Sequence, residues 1–332
     1  MRLPVRENPY TVCIMRTAFP VLYIAEADPA MAVMGSGVLD HLVKALPQAR
    51  FTIVGSPDSV SLFAGVPRLD RTLILKGEGL AELTGLWNQV RGTHWGLVVD
   101  MRGTKLSGWL RRRKRAVRGE MPDGLHAVEA AARVLQLDEV PAPRLHPAPE
   151  DVTEAEALLG PAAGPLLAIG PGADWIGRLW PAERYAKVAL ALLGEGGPLE
   201  GGRLLIVGGA GDRDAAHTIR LAVRRERVIE AQGKLSPLAA VAALRRADFY
   251  LGGDSLWTQL AVAAGVPVTA VFGPSDETLR GPWGGQTLRG PRSFEEFRTL
   301  DPRFNQALQH MMDLPAERVL KACVRRLTTD AA

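Results

Sequence analysis

Tyr250-Leu251-Gly252-Gly253-Asp254-Ser255 runs directly into Leu256-Trp257-Thr258-Gln259-Leu260-Ala261-Val262-Ala263-Ala264-Gly265, and Val266-Pro267 then opens another apolar run. The pattern reads as a covered strand that breaks at two glycines, a polar cap at Asp254 or Ser255, and an apolar helix that stops at Gly265. Free N–H groups at such a helix start, backed by the helix dipole, favour a phosphate. An ordinary N-cap on a buried helix accounts for the same residues. A strand–loop–helix–strand unit of this kind points to an α/β protein with parallel sheets.

The same rhythm extends in both directions. Downstream, strand Val266–Phe272 leads into the turn-rich Phe272-Gly273-Pro274-Ser275-Asp276 and Gly281-Pro282-Trp283-Gly284, a candidate cleft wall beside the Asp254 helix. Upstream, strand Leu166–Gly170 opens the loop Gly170-Pro171-Gly172-Ala173-Asp174-Trp175-Ile176-Gly177-Arg178-Leu179-Trp180-Pro181. Gly172 permits close backbone approach to a ligand, and Arg178 offers a diphosphate a fork of donors. Trp180 reads as a packing residue at the next helix start. Strand Arg203–Gly208 runs into Gly208-Gly209-Ala210-Gly211-Asp212, where Asp212 either accepts from a ribose hydroxyl or caps a helix. Arg227–Glu230 and Phe249–Gly252 complete the strands of this half. In the first half the strands are Val21–Ala25, Phe51–Gly55, Arg71–Leu75 and Gly96–Asp100. Helices are expected at Val38–Leu46, Leu80–Val90, Leu125–Leu137, Ala182–Leu193, Ala215–Arg225, Leu238–Arg246 and Leu256–Gly265.

A proline-rich segment from Val140 to Pro149 separates the halves. The expectation is two Rossmann-like domains, 1–145 and 146–332, with the last helix packing back on the first domain. Parallel sheets bind ligands beyond their strand C-termini, so facing sheets would share one cleft. The length of 332 residues and 47% hydrophobic content suit two globular domains. A net charge of +4 is too mild to imply nucleic acid. Cys13 and Cys323, far apart, suit a reducing compartment and exclude a disulfide framework. No apolar run reaches the roughly 20 residues of a membrane span, and the first twenty residues lack a signal-peptide pattern. The expectation is a cytoplasmic protein. Arg111, Arg112, Arg113, Lys114, Arg115 and Arg118 form a dense cationic run. Such a run is either a solvated helix end or a patch for phosphates, anionic glycolipid or membrane.

Taken in order and spacing, these loops resemble glycosyltransferase family nine, the ADP-heptose:lipopolysaccharide heptosyltransferases. The likeness is most specific from Ala247-Asp248 through Gly253-Asp254-Ser255 and Ala263-Ala264-Gly265-Val266-Pro267 to Phe272-Gly273-Pro274-Ser275-Asp276. Arg178-Leu179-Trp180-Pro181 is similar to the family's lysine-x-tryptophan-proline segment, and Val207-Gly208-Gly209 with Asp212 to its glycine loop ending in an acidic residue. Looser matches are Lys44–Arg50, Leu97–Arg102 and Leu125–Glu129.

The resemblance implies a GT-B fold: two doubly wound domains facing a cleft. It implies inverting sugar transfer without metal or cofactor, from a nucleotide-diphosphate sugar such as ADP-heptose to an acidic glycan or glycolipid at the inner membrane. It places Gly172, Arg178, Gly209, Asp212, Asp254, Ser255 and Gln259 on the donor. The acidic acceptor fits Arg111, Arg112 and Arg113. Leu256 stands where the family has glycine, and Gln259 where it has histidine. Counting back from Pro47 puts Ala30-Met31 at the family's glycine-aspartate base. Glu26 and Asp28 are the nearest carboxylates. Asp28, biased to extended backbone by Pro29, is the candidate base. Met31, Leu256 and Gln259 motivate a second reading, a binding protein that has lost catalysis. A GT-B nucleotide-sugar epimerase is the third.

Overall fold

The computed structural model describes residues 19–161, 164–306 and 308–330. The signal-peptide reading rests on residues almost all of which, with Cys13, lie outside the described residues.

Strands β1 (Phe19–Ile24), β2 (Ala49–Gly55), β3 (Leu69–Ile74), β4 (Trp95–Asp100) and β5 (Arg112–Val117) form a parallel five-stranded sheet, ordered β3-β2-β1-β4-β5. Strands β6 (Leu166–Gly170), β7 (Arg203–Ile206), β8 (Val228–Glu230), β9 (Phe249–Gly253), β10 (Val268–Phe272) and β11 (Gln286–Arg289) form a parallel six-stranded sheet, ordered β11-β10-β9-β6-β7-β8. Each is a doubly wound order. It reverses between β1 and β4 in the first sheet and between β6 and β9 in the second, and crevices open at such reversals. The strands at the second reversal are buried at every residue, which is why they read as unbroken apolar runs rather than alternating ones.

The first domain carries helices α1 (Pro29–Met34), α2 (Ser36–Ala45), α3 (Leu80–Val90), α4 (Leu106–Trp109) and α5 (Ala127–Val134). The second carries α6 (Pro149–Leu159), α7 (Ala182–Leu193), α8 (Arg213–Leu221), α9 (Pro237–Leu244), α10 (Leu256–Ala264), α11 (Glu277–Arg280), α12 (Phe294–Leu300) and α13 (Ala316–Asp330). Residues 140–148 cross between the domains without regular structure. Across the divide α1 packs on α10. Helix α10 ends as expected at Gly265, whose φ of 82° is a left-handed conformation that glycine adopts without steric penalty.

Three expectations are corrected. The cationic run is not a helix end. Arg112–Val117 is strand β5, paired on one side with β4 from Trp95↔Arg112 to Asp100↔Val117. Charged side chains on an edge strand discourage pairing with other chains, so the run has a structural reason of its own. The last helix does not return to the first domain. Helix α13 packs on α7 and β10, with Val319 and Cys323 buried beside Leu167, Val188 and Leu251. The proline-rich segment ends sooner than its composition suggests, because Pro149 sits in the first turn of α6.

Candidate active site

The loops leaving the C-terminal ends of β1, β6, β7, β9 and β10 converge on one cleft of about 300 Å³. From the first domain come Asp28, Pro29 and Ala30. From the second come Gly172, Asp174, Arg178, Gly209, Asp212, Asp254, Ser255, Leu256, Trp257 and Arg280 among others.

The centre of the site is the start of α10. Ser255 occupies the N-cap with extended backbone, and no side chain caps the helix among the described residues. Its N–H groups are therefore left for a ligand. Thr258 Oγ1 donates to the Gly253 carbonyl at 2.6 Å and shares a 3.2 Å hydrogen bond with the Tyr250 hydroxyl, fixing the turn from below. Burial, foremost, pushes the Tyr250 phenol up, so it stays neutral. Asp254 is only 5% exposed, and its Oδ2 lies 3.4 Å from Arg178 Nε. Arg178 Nη1 also donates to both Asp174 carboxylate oxygens, at 3.0 and 3.1 Å. Asp174 is 74% exposed, so this pair is weak and easily exchanged for a ligand.

Asp212 closes its own loop and faces the cleft, and its side chain makes no cap hydrogen bond to α8. Its Oδ2 accepts from Gly209 N at 2.7 Å, closing the glycine loop, and the carboxylate lines the cleft. Burial raises its pKa, while the Gly209 hydrogen bond pulls the other way. Gly172 must be glycine for packing reasons: a Cβ there would sit 2.2 Å from the Asp212 carboxylate.

On the facing side, Asp28 is the N-cap of α1. Its backbone is extended, its Oδ1 accepts from Met31 N at 2.9 Å, and Pro29 opens the helix. The carboxylate is half exposed and lies 3.6 Å from Arg280. Glu26 turns elsewhere and pairs with Arg118, the last residue of the cationic run, just past the end of β5. Met31 packs against the apolar group Met34, Ala127 and Val128. Of the two nearest carboxylates, Asp28 is thus the one that lines the cleft.

Two groups of expected site residues lie outside the cleft lining. Gln259 is fully buried one turn along α10, and its amide donates to the Arg280 carbonyl at 3.0 Å. Helical spacing turns it from the mouth of α10 toward the neighbouring loop. Arg111, Arg112 and Arg113 sit where β5 starts, whereas the cleft lies beyond strand ends. At about 3.3 Å per residue, Arg112 is about 16 Å from Val117 at the cleft end of its own strand. Trp180 is a packing residue, buried edge-on to Tyr185 with its N–H donating to Leu314 O at 2.9 Å.

Arg280 is the cleft residue that local pattern does not announce. It ends the short α11, behind the Asp276 cap and before Gly281-Pro282. The only available signal was a cation in the loop that follows the last buried strand. No group of three His, Cys, Asp or Glu side chains suited to a metal occurs among the described residues. The positive charge of the cleft comes from Arg178, Arg280 and the α10 N–H groups.

Two doubly wound domains with strand-end loops meeting at one cleft, and an anion-ready helix start on the second, define a GT-B glycosyltransferase fold. The sequence model of glycosyltransferase family 9 (heptosyltransferase) matches residues 86–289, and the chain belongs to that family. Solved structures share the fold. A glycosyl transferase family 9 protein from Veillonella parvula is 18% identical, with 95% of this chain and 99% of that chain covered at a TM-score of 0.75. E. coli ADP-heptose lps heptosyltransferase II is 17% identical, with 94% and 100% covered at 0.72. E. coli heptosyltransferase WaaC with ADP is 17% identical, with 92% and 99% covered at 0.67. No curated protein matches the chain by sequence.

Proposed function

We propose that this chain is an inverting, metal-independent transferase that moves a sugar from a nucleoside-diphosphate donor to an acidic glycan or glycolipid hydroxyl. One observation carries the reading: Asp28 of the first domain faces Arg178, Asp254 and the open start of α10 across a single cleft. The donor diphosphate would lie on the α10 N–H groups and Arg178, displacing the exposed Asp174. Asp212 would accept from the ribose. The acceptor oxygen attacks the anomeric carbon as the bond to the diphosphate oxygen breaks, and the electron pair leaves on the diphosphate. Asp28 takes the hydroxyl proton. Fixed N–H groups and a guanidinium stabilise the departing charge without a metal. ADP-heptose is the first donor to try, because the family is named for heptose and related structures hold ADP.

The basic edge β5, with Trp109 exposed beside it, supports a peripheral role. Arg111, Arg112 and Arg113 would hold the protein on an anionic glycolipid surface and bring the acceptor near. No described helix is long and apolar enough to cross a membrane. We place the protein in the cytoplasm, at the inner face of the inner membrane.

A second reading, a binding protein without catalysis, is favoured by Leu256, which lines the cleft where the family carries glycine. Thermal unfolding with ADP, adenosine and ADP-sugars tests the donor site that both readings share. A ligand at a hundred times its Kd should stabilise the fold by about 2.7 kcal/mol. Unchanged unfolding across a panel of nucleoside diphosphates and their sugars would remove the donor site from the account.

A further inference from the structure

We propose that Arg280 couples the two halves of the site: a bound donor diphosphate takes its guanidinium from Asp28 and so releases the base only when donor is in place. This rests on the donor reading above.

Four observations converge on Arg280. It lines the same cleft as Arg178 and Asp254. Its Nη2 lies 3.6 Å from Asp28 Oδ1, an ion pair across the domain divide that is too long for a good hydrogen bond. Its Nε is buried without a hydrogen-bond partner among the described residues. Its carbonyl is held by Gln259, a buried residue of α10, the helix whose start forms the anion site. The next residue is also tied down. His126 Nδ1 accepts from Val128 N, so its Nε2 carries the proton and donates to Gly281 O at 3.0 Å. The backbone of Arg280 is fixed from both domains, while its charged end has an unused donor and a weak partner.

The physical consequence is an exchange. A half-exposed carboxylate holds a guanidinium weakly. A diphosphate brings more charge and several acceptor oxygens, and Arg binds such groups through paired hydrogen bonds. While Arg280 stands against Asp28, its guanidinium crowds the carboxylate oxygen that an acceptor hydroxyl would have to reach. Once the diphosphate takes Arg280, that restraint goes. Arg280 then serves as a positioning residue toward the base and a contact toward the donor. The buried Gln259 gains a role suited to its place: it fixes the residue that senses the donor.

Calorimetry with ADP, and with inorganic pyrophosphate as a base-free probe, tests the exchange. The proteins are wild type, Asp28→Asn, Arg280→Gln, Arg280→Lys and the Asp28→Asn/Arg280→Gln double variant. Asparagine still caps α1, so Asp28→Asn removes charge without removing the cap. Arg280→Gln should weaken both ligands by roughly tenfold or more, with Arg280→Lys intermediate. Asp28→Asn should tighten both by about two- to fivefold, and that gain should vanish in the double variant. Unchanged affinity in Arg280→Gln, or a gain that persists without Arg280, overturns the coupling while leaving the donor site standing. Folded wild type that binds neither probe overturns the coupling together with the donor reading.

Discussion

At the reversal of the second sheet, β6 and β9 end in Gly170-Pro171-Gly172 and Gly252-Gly253-Asp254, and backbone comes close to whatever binds. At the reversal of the first sheet, β1 ends in Glu26-Ala27-Asp28-Pro29, which sends one carboxylate into the cleft. The second domain supplies many fixed groups: an uncapped helix start, a guanidinium braced by two carboxylates, and a glycine loop closed by Asp212. The first supplies a single titratable group on a six-residue helix. The difference follows from the chemistry proposed for each side. Holding a diphosphate through the loss of its sugar needs donors set in advance, whereas removing a proton needs one well-placed acceptor and room for a varied alcohol.

The largest effect that separates the two sides is on rate. Asp28→Asn should lower transfer about a hundredfold or more, in steady-state assays, without weakening ADP. Retained transfer would move the base away from the first domain. Arg178→Ala comes next. Charge-assisted hydrogen bonds are worth about 1.5–3 kcal/mol, so ADP should lose roughly ten- to a hundredfold in affinity while adenosine changes little. Equal losses by calorimetry would take Arg178 off the phosphates. Gln259→Ala leaves the Arg280 carbonyl without its donor and should cost about 1–3 kcal/mol of stability in urea unfolding. A variant as stable as wild type would show that the Arg280 loop is anchored by other contacts.

Two smaller effects sharpen the contrast. Burial raises the Asp212 pKa, so its ionised form opposes folding at neutral pH, and this opposition disappears below the ordinary carboxylate value. Asp212→Asn should therefore melt higher than wild type near pH 7, and the gap should close as pH falls through the raised value. A gap that widens on acidification would contradict the burial argument. Neutralising Arg111, Arg112 and Arg113 together should weaken flotation with anionic glycolipid vesicles and reduce its salt sensitivity, with ADP affinity unchanged. Screening acts over about 8 Å at physiological salt, and the run starts farther than that from the cleft end of β5. Loss of ADP binding in that variant would put the run in the donor site after all.

Sequence discloses the second domain better than the first. Strands β6, β9 and β10 are legible because burial on both faces leaves unbroken apolar runs, and glycines mark where each stops. Strand β5 is hidden because an edge strand keeps its charges in water and carries no apolar period. Helix α1 is hidden because six residues are too few for a helical period to show, although Asp28-Pro29 is a fair cap and first turn. Arg178, Asp212 and Asp254 sit in recognisable loops. Arg280 does not, since its importance comes from a contact with Asp28 that no local pattern encodes. Gln259 shows the converse. The family resemblance implies a place on the donor, and the pitch of α10 aims it at the Arg280 carbonyl instead.

The most direct test is product analysis by NMR, with wild-type protein, ADP-heptose and a phosphorylated glycolipid acceptor. The account predicts a new glycoside with the anomeric configuration opposite to the donor's, and one ADP released for each sugar moved. Donor recovered intact, or recovered as an isomer with no glycoside formed, would contradict it.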